Sequence, residues 1–382
     1  MRYLTTTKMT AMLVAIMFAV TIPAGCADDD SSSTPAATDP GTDPGTDPGT
    51  DPVEPVYPEQ VQCDGDVCEV SGEITENITF TKDKMWLLKG GVFIGDDTSD
   101  TTLTIEPGTT VYGETASKAF LCIRRNGKIM AEGTKDEPIV MTSSQPEGSR
   151  SSGDWGGLVL NGKAPINGCD SAPCEAEGEG GTGKYGGTEA NDNSGVLRYV
   201  RVEFAGHPIT PDNELNGIAF QAVGAGTTLE YIQVHMAADD GIEFFGGTAQ
   251  FKYILTTGIS DDNLDWTDGW QGKGQFFVAQ QYAGFGDQGI EADNNGDNNQ
   301  AEPRSMPLLS NLTLVGSPES KKSDIGILLR EGTGANIHNA IAMAFEDACL
   351  DIDDNETYAN GFDGTDLTGD LTISNSILAC GK

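Results

Sequence analysis

YIQVHMAADDGIEFFGG (Tyr231–Gly247) and YILTTGISDDNLDWTDG (Tyr253–Gly269) are two copies of one pattern, 22 residues apart. In this register Tyr231 meets Tyr253, Asp239 meets Asp261, Asp240 meets Asp262, Ile242 meets Leu264 and Gly247 meets Gly269. A looser copy, YVRVEFAG, begins at Tyr199 with a ten-residue excess before the next. Earlier in the chain, LTI from Leu103, LCI from Leu121, IVM from Ile139 and LVL from Leu158 start 18 or 19 residues apart, with turn signals such as EPGT and KDEP between them. Units this short cannot bury their apolar residues alone, but stacked units can. A period of 18 to 22 built from short β-prone runs and turns predicts an all-β, right-handed parallel β-helix, in which each coil hydrogen-bonds to the last. A β-sandwich is the alternative, but its strands need not repeat in register with matched turn residues. Side chains alternate across a strand. Ile242 and Phe244 are therefore expected inside, and Glu243 outside.

The chain has 382 residues, enough for one large domain or two ordinary ones. Its 49 glycines, with frequent Asn and Asp, favour tight turns over long helices. Acids outnumber bases 59 to 22, which excludes nucleic acid as a partner, since phosphate binding needs a basic face. Cations, or neutral and basic ligands, suit this charge better.

Residues 1–25 read as a signal peptide: Arg2 and Lys8 precede MTAMLVAIMFAV, too short for a membrane span. IPAGC then ends at Cys26. Small residues before a cysteine resemble the lipobox of bacterial lipoproteins, although Pro23 stands where that motif usually has Leu. An ordinary signal peptide is the alternative. The resemblance implies lipidation at Cys26, with the lipid as the only membrane contact, at the outer membrane or surface of a Gram-negative bacterium. Residues 26–60, with three TDPG units and a fourth ending in Val53, are expected to form a disordered acidic, Pro-rich linker. At ~3.1 Å per residue it would reach roughly 100 Å. CADDD also resembles the acidic surface-export signal of some lipoproteins; alternatively it only starts the linker. Residues 61–382 make the β-helix domain.

The phrases LTIEPGTTVYGE, KIMAEGTKDEPIVMTS, GDWGGLVLNGKAPIN and DDGIEFFGG resemble a family of bacterial cell-surface lipoproteins with a right-handed parallel β-helix of the pectate-lyase-like class. The resemblance covers most of residues 100–350. It implies fold and location more than chemistry, because the wider class holds pectate lyases, polygalacturonases and adhesins. Insertions such as INGCDSAPCEAEGEGGTGKYGGTEANDNSG are expected as loops leaving the coil. Within it, GEGGTG (Gly178–Gly183) fits a phosphate-loop pattern, but Tyr185 stands where Ser or Thr is needed and no helix pattern follows, so it reads as a flexible loop. Seven cysteines remain beyond Cys26 in an oxidising compartment. Cys63/Cys68 and Cys169/Cys174, both C-x4-C, are each expected to close a small loop. Cys349 and Cys380 are a possible third pair that leaves Cys122 alone, though connectivity stays open. No spacing makes a zinc site.

Neither a G-x-S-x-G elbow nor H-E-x-x-H occurs. His207, His235 and His338 are widely spaced; His235 is expected beside Glu203 as a surface pair. The carboxylates say more. Extending the coil register places Glu243, Asp265, Glu291, Leu328 and Asp351 at one outward position, and Phe245, Thr267, Asp293, Arg330 and Asp353 two residues on. Acids ~4.8 Å apart on adjacent coils repel by nearly ~1 kcal/mol even in water. A cation, Arg330 or protonation must offset this.

Two functional readings follow. In the preferred one, the column is the calcium-stabilised face of a non-catalytic binding or adhesion module for extracellular polysaccharide or another cell-surface ligand. Trp266, Trp270, Phe245 and Tyr282 would offer stacking surface, although Trp266 should point inward. In the other, the protein is a polysaccharide lyase or glycoside hydrolase. Arg330 beside Asp293 and Asp353 resembles the arrangement of pectate lyases, with Arg330 as base. Alternatively Asp239, Asp240, Asp261 and Asp262 form an acid/base set. The simplest role for these Asp pairs is capping turns. For calcium, EADNNGDNNQAE (Glu291–Glu302) follows the calcium-loop pattern through Glu291, Asp293, Asn295, Gly296 and Glu302. DIDDNE adds Asp351 and Asp353 as a partial match. Convergence of these donors requires the chain to bend at Asn295–Gly296.

Overall fold

The computed structural model describes residues 57–382 except 170, 211–212, 363, 366–368 and 382. The signal peptide, Cys26 and the linker up to residue 56 lie outside the described residues.

Apart from an antiparallel opening hairpin, Val61–Asp64 with Val67–Ile74, the strands of the main sheet pair in parallel and stack in columns, so the molecule is a parallel β-helix and not a sandwich. One column runs through Gly157–Asn161, Ile218–Gln221, Ile242–Phe245, Leu264–Thr267, Glu291–Ala292, Leu328–Leu329 and Asp351–Ile352. A second runs through the longer strands Gly195–Glu203, Thr228–His235, Gln250–Thr257, Lys273–Gln280, Leu308–Val315 and Ala335–Met343. Each long strand holds one left-handed residue at a corner: Tyr199, Tyr231, Tyr253, Phe276, Asn311 and Asn339, with φ between 49° and 60°. Gly195–Glu203 pairs with Gly127–Glu132 before that corner and with Ile139–Ser143 after it, so a full coil has three sides. Left-handed φ is strained for an aromatic residue. Face-to-face stacking opposes the strain, with ring centroids 4.5, 4.6 and 4.9 Å apart from Tyr199 through Tyr231 and Tyr253 to Phe276.

The 22-residue offset is one coil: Ile242 pairs with Leu264 and Leu229 with Phe251. The spacing of 18 to 19 is not. Leu103 pairs with Ile129, Leu121 with Leu158 and Ile139 with Val200, so the first three runs lie on three different sides and the fourth stacks on the second. Apolar runs and turns recur on every side of a coil, and a short period mixes them. Ile242 and Phe244 point inward and are fully buried. Phe244 stacks on Trp270 at 4.2 Å and on Phe220 at 5.0 Å.

The insertions do not hang loose. Ala176–Gly178 pairs antiparallel with Gly183–Tyr185, and Pro208–Thr210 with Asn213–Glu214. They roof the outer face of the first column. Ile166, Tyr185 and Leu215 pack there with Phe120, Ala219 and Phe245 in an apolar cluster outside the main core. GEGGTG is an ordered part of this roof rather than a flexible loop. Its Thr182 carbonyl accepts from Asn161 Nδ2 at 3.0 Å, and a Cβ on Gly180 would meet Ile209 at 2.7 Å. Gly178 and Gly180 serve close packing, while Gly181 faces open space.

Disulfides join Cys63–Cys68, Cys169–Cys174 and Cys349–Cys380. Cys122 is free and buried, donating to the Thr182 carbonyl. Tyr57, placed in the linker by the sequence, already packs edge-on against Trp86 at 5.6 Å. No helix among the described residues is long and apolar enough to cross a membrane.

Candidate functional site

The outward position of the first column holds Ala219, Glu243, Asp265, Glu291, Leu328 and Asp351 in successive register. The roof changes what "outward" means. Glu243 is only 8% exposed and Asp265 9%. The turn aspartates beside them are buried too. Asp240 Oδ1 accepts from the Asp262 amide at 3.0 Å, and Asp262 Oδ1 accepts from the Gln288 amide at 2.6 Å. Each therefore holds the backbone of the next coil, a turn role that acts between coils rather than within one. Asn216 Nδ2 donates to Glu243 Oε2 at 2.6 Å.

Two groups of carboxylates result. Asp239, Asp240 and Asp261 each place an oxygen within 4.8 Å of the others, and so do Asp240, Glu243 and Asp265. Burial, then the neighbouring acids, pushes Asp240, Glu243, Asp262 and Asp265 well above the usual carboxylate range. Burial and the charge of Glu214 push Asp239 up to about 8 and Glu179, on the roof, up to about 7. Asp287 also stands at about 7, raised by burial and by Asp261.

Arg330 supplies the positive charge further along the column. Its Nε and Nη2 grip Asp293 at 2.8 and 3.0 Å, and Nη2 reaches Glu291 at 2.5 Å. Burial opposes the charged guanidinium, but Asp293 and Glu291 prevail and raise its pKa further. A guanidinium held this way keeps its proton, which corrects the base role expected for Arg330. Asp353, expected beside it, is exposed on the next coil.

The donors of the Glu291–Glu302 loop turn apart. Asp293 is taken by Arg330, Asn295 Oδ1 accepts from the Asn298 amide at 2.9 Å, and Glu302 Oε2 accepts from the Arg304 amide at 3.0 Å. Asp351 Oδ1 accepts from the Ile352 amide at 2.9 Å. Among the described residues, neither this loop nor Asp351 with Asp353 contributes to a three-carboxylate group. Asn295, Glu302 and Asp351 each accept from a nearby backbone N–H instead.

The four aromatic residues expected as stacking surface do not form one. Trp266 and Trp270 are fully buried in the core, Phe245 lies under the roof, and only Tyr282 is half-exposed. His235 is in register with Glu203, but its Nδ1 pairs with Thr257 Oγ1 at 2.8 Å while Glu203 accepts from Thr142 Oγ1 at 3.1 Å. Asn216 and Glu179 escaped the sequence reading because they sit in non-repeating segments.

Open surface lies elsewhere. A groove of about 390 Å³ crosses the second column, lined by Glu230, Lys252, Lys273, Gln275 and Ser310.

These carboxylates set the pH dependence of stability. Their folded-state pKa values lie above the unfolded ones, so between about pH 4 and pH 8 the folded chain binds more protons than the unfolded chain. Stability is then highest at the acidic end and is lost as pH rises through that window. In chelator, the melting temperature should fall steadily from pH 5 to pH 8. A flat or rising profile in circular dichroism melts would contradict the buried acids.

A roofed parallel β-helix of three-sided coils defines a scaffold class and not by itself an activity. The family model described as pectate-lyase like beta helix domain matches residues 72–379, and the chain belongs to that family. No curated protein and no solved structure matched the chain.

Proposed function

We propose that this protein is a non-catalytic binding or adhesion module for extracellular polysaccharide or a similar cell-surface ligand, anchored at the bacterial surface through lipid on Cys26, with calcium stabilising its acidic face. One observation carries this reading. Of the carboxylates that would have to perform hydrolysis or elimination, Asp240 and Asp262 are 7% and 5% exposed and Asp293 is gripped by Arg330, while Asp239 and Asp261 are part-exposed and Asp353 is exposed. Asp239, Asp240 and Asp261, with oxygens within 4.8 Å of one another, sit closer than the ~6.5–9.5 Å of an inverting glycosidase pair and near the ~5–5.5 Å of a retaining one, so burial rather than spacing argues against hydrolysis. The accessible groove has the opposite character. Glu230, Lys252, Gln275 and Ser310 follow one another in register, one per coil. That gives a polar group every ~4.8 Å along the axis, a step that suits a chain of hydroxyl-bearing units.

The test is calorimetry and affinity electrophoresis against neutral and acidic polysaccharides. Lys252→Ala or Gln275→Ala should weaken binding about tenfold, the loss of one or two good hydrogen bonds. Release of unsaturated products or new reducing ends would instead establish the lyase or glycosidase alternative.

A further inference from the structure

We propose that Asp240, Glu243 and Asp265, with the side-chain oxygen of Asn216, bind one calcium ion between three successive coils beneath the roof. Three observations converge. The three carboxylates each bring an oxygen within 4.8 Å of the others. That is the span of a calcium shell, whose ligands lie about 2.4 Å from the ion on opposite sides. Second, two oxygens there have no partner. Asp265 Oδ1 and Asn216 Oδ1 are both buried and unbonded, although Asn216 is only 2% exposed and its amide nitrogen is fixed on Glu243. A buried oxygen without a donor is costly; an ion at the carboxylate group would give Asp265 Oδ1 a partner, and the bond from Asn216 Nδ2 to Glu243 places the Asn216 amide beside the same group. Third, the cation of the column is committed elsewhere, since Arg330 is gripped by Asp293 and Glu291.

The donor set is all oxygen, which disfavours soft metals. It mixes carboxylates with an amide in an irregular cage, which suits calcium better than magnesium and its strict octahedron. Asn216 precedes the strand Ile218–Gln221, Asp240 and Glu243 flank and occupy Ile242–Phe245, and Asp265 lies in Leu264–Thr267. An ion here therefore staples three coils.

This inference rests on the reading above only for calcium at the acidic face. Glycan affinity is measured separately, so either can fail alone. The experiment uses the whole chain, freed of metal by chelator and dialysis, with calcium chloride and magnesium chloride as titrants and terbium luminescence as a second signal. One calcium should bind per chain and raise the melting temperature. Glu243→Gln and Asp265→Asn should each weaken calcium binding at least tenfold, while Asp293→Asn leaves it unchanged. Glu243→Gln keeps the side-chain shape and an acceptor for Asn216, so it carries the test if Asp265→Asn folds poorly. Three results would overturn the proposal: no heat and identical melts in calcium and chelator, calcium binding unaffected by both variants, or binding lost only in Asp293→Asn, which would move the ion to the Glu291–Glu302 loop.

Discussion

Arg330→Met should lower the unfolding free energy by about 3 kcal/mol at pH 8, read from urea denaturation. Removing one partner of a buried ion pair leaves the other charged and unsatisfied, at about 3–5 kcal/mol. The lower figure applies because the Arg330 side chain is 36% exposed. Its partners are deeper, with Asp293 9% and Glu291 15% exposed. The loss should shrink at pH 5. Glu291 already stands at about 7 and Asp293 is raised by burial, so both take up protons readily once the guanidinium is gone. Equal losses at both pH values would mean that Arg330 contributes by packing alone.

Trp270→Ala should cost about 3–5 kcal/mol, the range for deleting a large buried aromatic ring. Trp270 is fully buried, lies flat on Phe244, meets Trp266 at 5.6 Å and donates from Nε1 to the Ala249 carbonyl at 3.2 Å. No neighbour can fill the space, because the stacked coils leave little room to collapse. Trp270→Phe should keep most of the stacking and lose about 1 kcal/mol for the orphaned carbonyl. The same variant separates core from binding surface. Its polysaccharide affinity should equal that of the parent protein, and a large drop would place Trp270 at the ligand after all.

The repeat between Tyr231 and Gly269 carried most of what was readable. Side-chain alternation and matched turn residues are local properties, and stacking copies them from coil to coil. Hence the inward Ile242 and Phe244, and the outward register from Glu243 to Asp351, were legible before any coordinates. The apolar runs between Leu103 and Leu158 misled because a three-sided coil repeats the same local signal on each side. The Glu291–Glu302 pattern misled for a related reason. Its spacing matches a calcium loop, but spacing does not say which donor a nearby N–H or guanidinium will claim.

By itself the sequence determined the β-helix, the coil register and the excess of carboxylates along one face, since each follows from periodic composition. Only the tertiary structure decided that this face is roofed. The covering residues Ile166, Tyr185 and Leu215 come from insertions with no period, and Tyr185 reaches Asp268 across 83 residues of chain with a 3.0 Å hydrogen bond. Contacts of that range depend on how the folded coils bring distant segments together. The roof turned an outward acidic ladder into a buried one, and left Asp265 and Asn216 with oxygens that lack a donor.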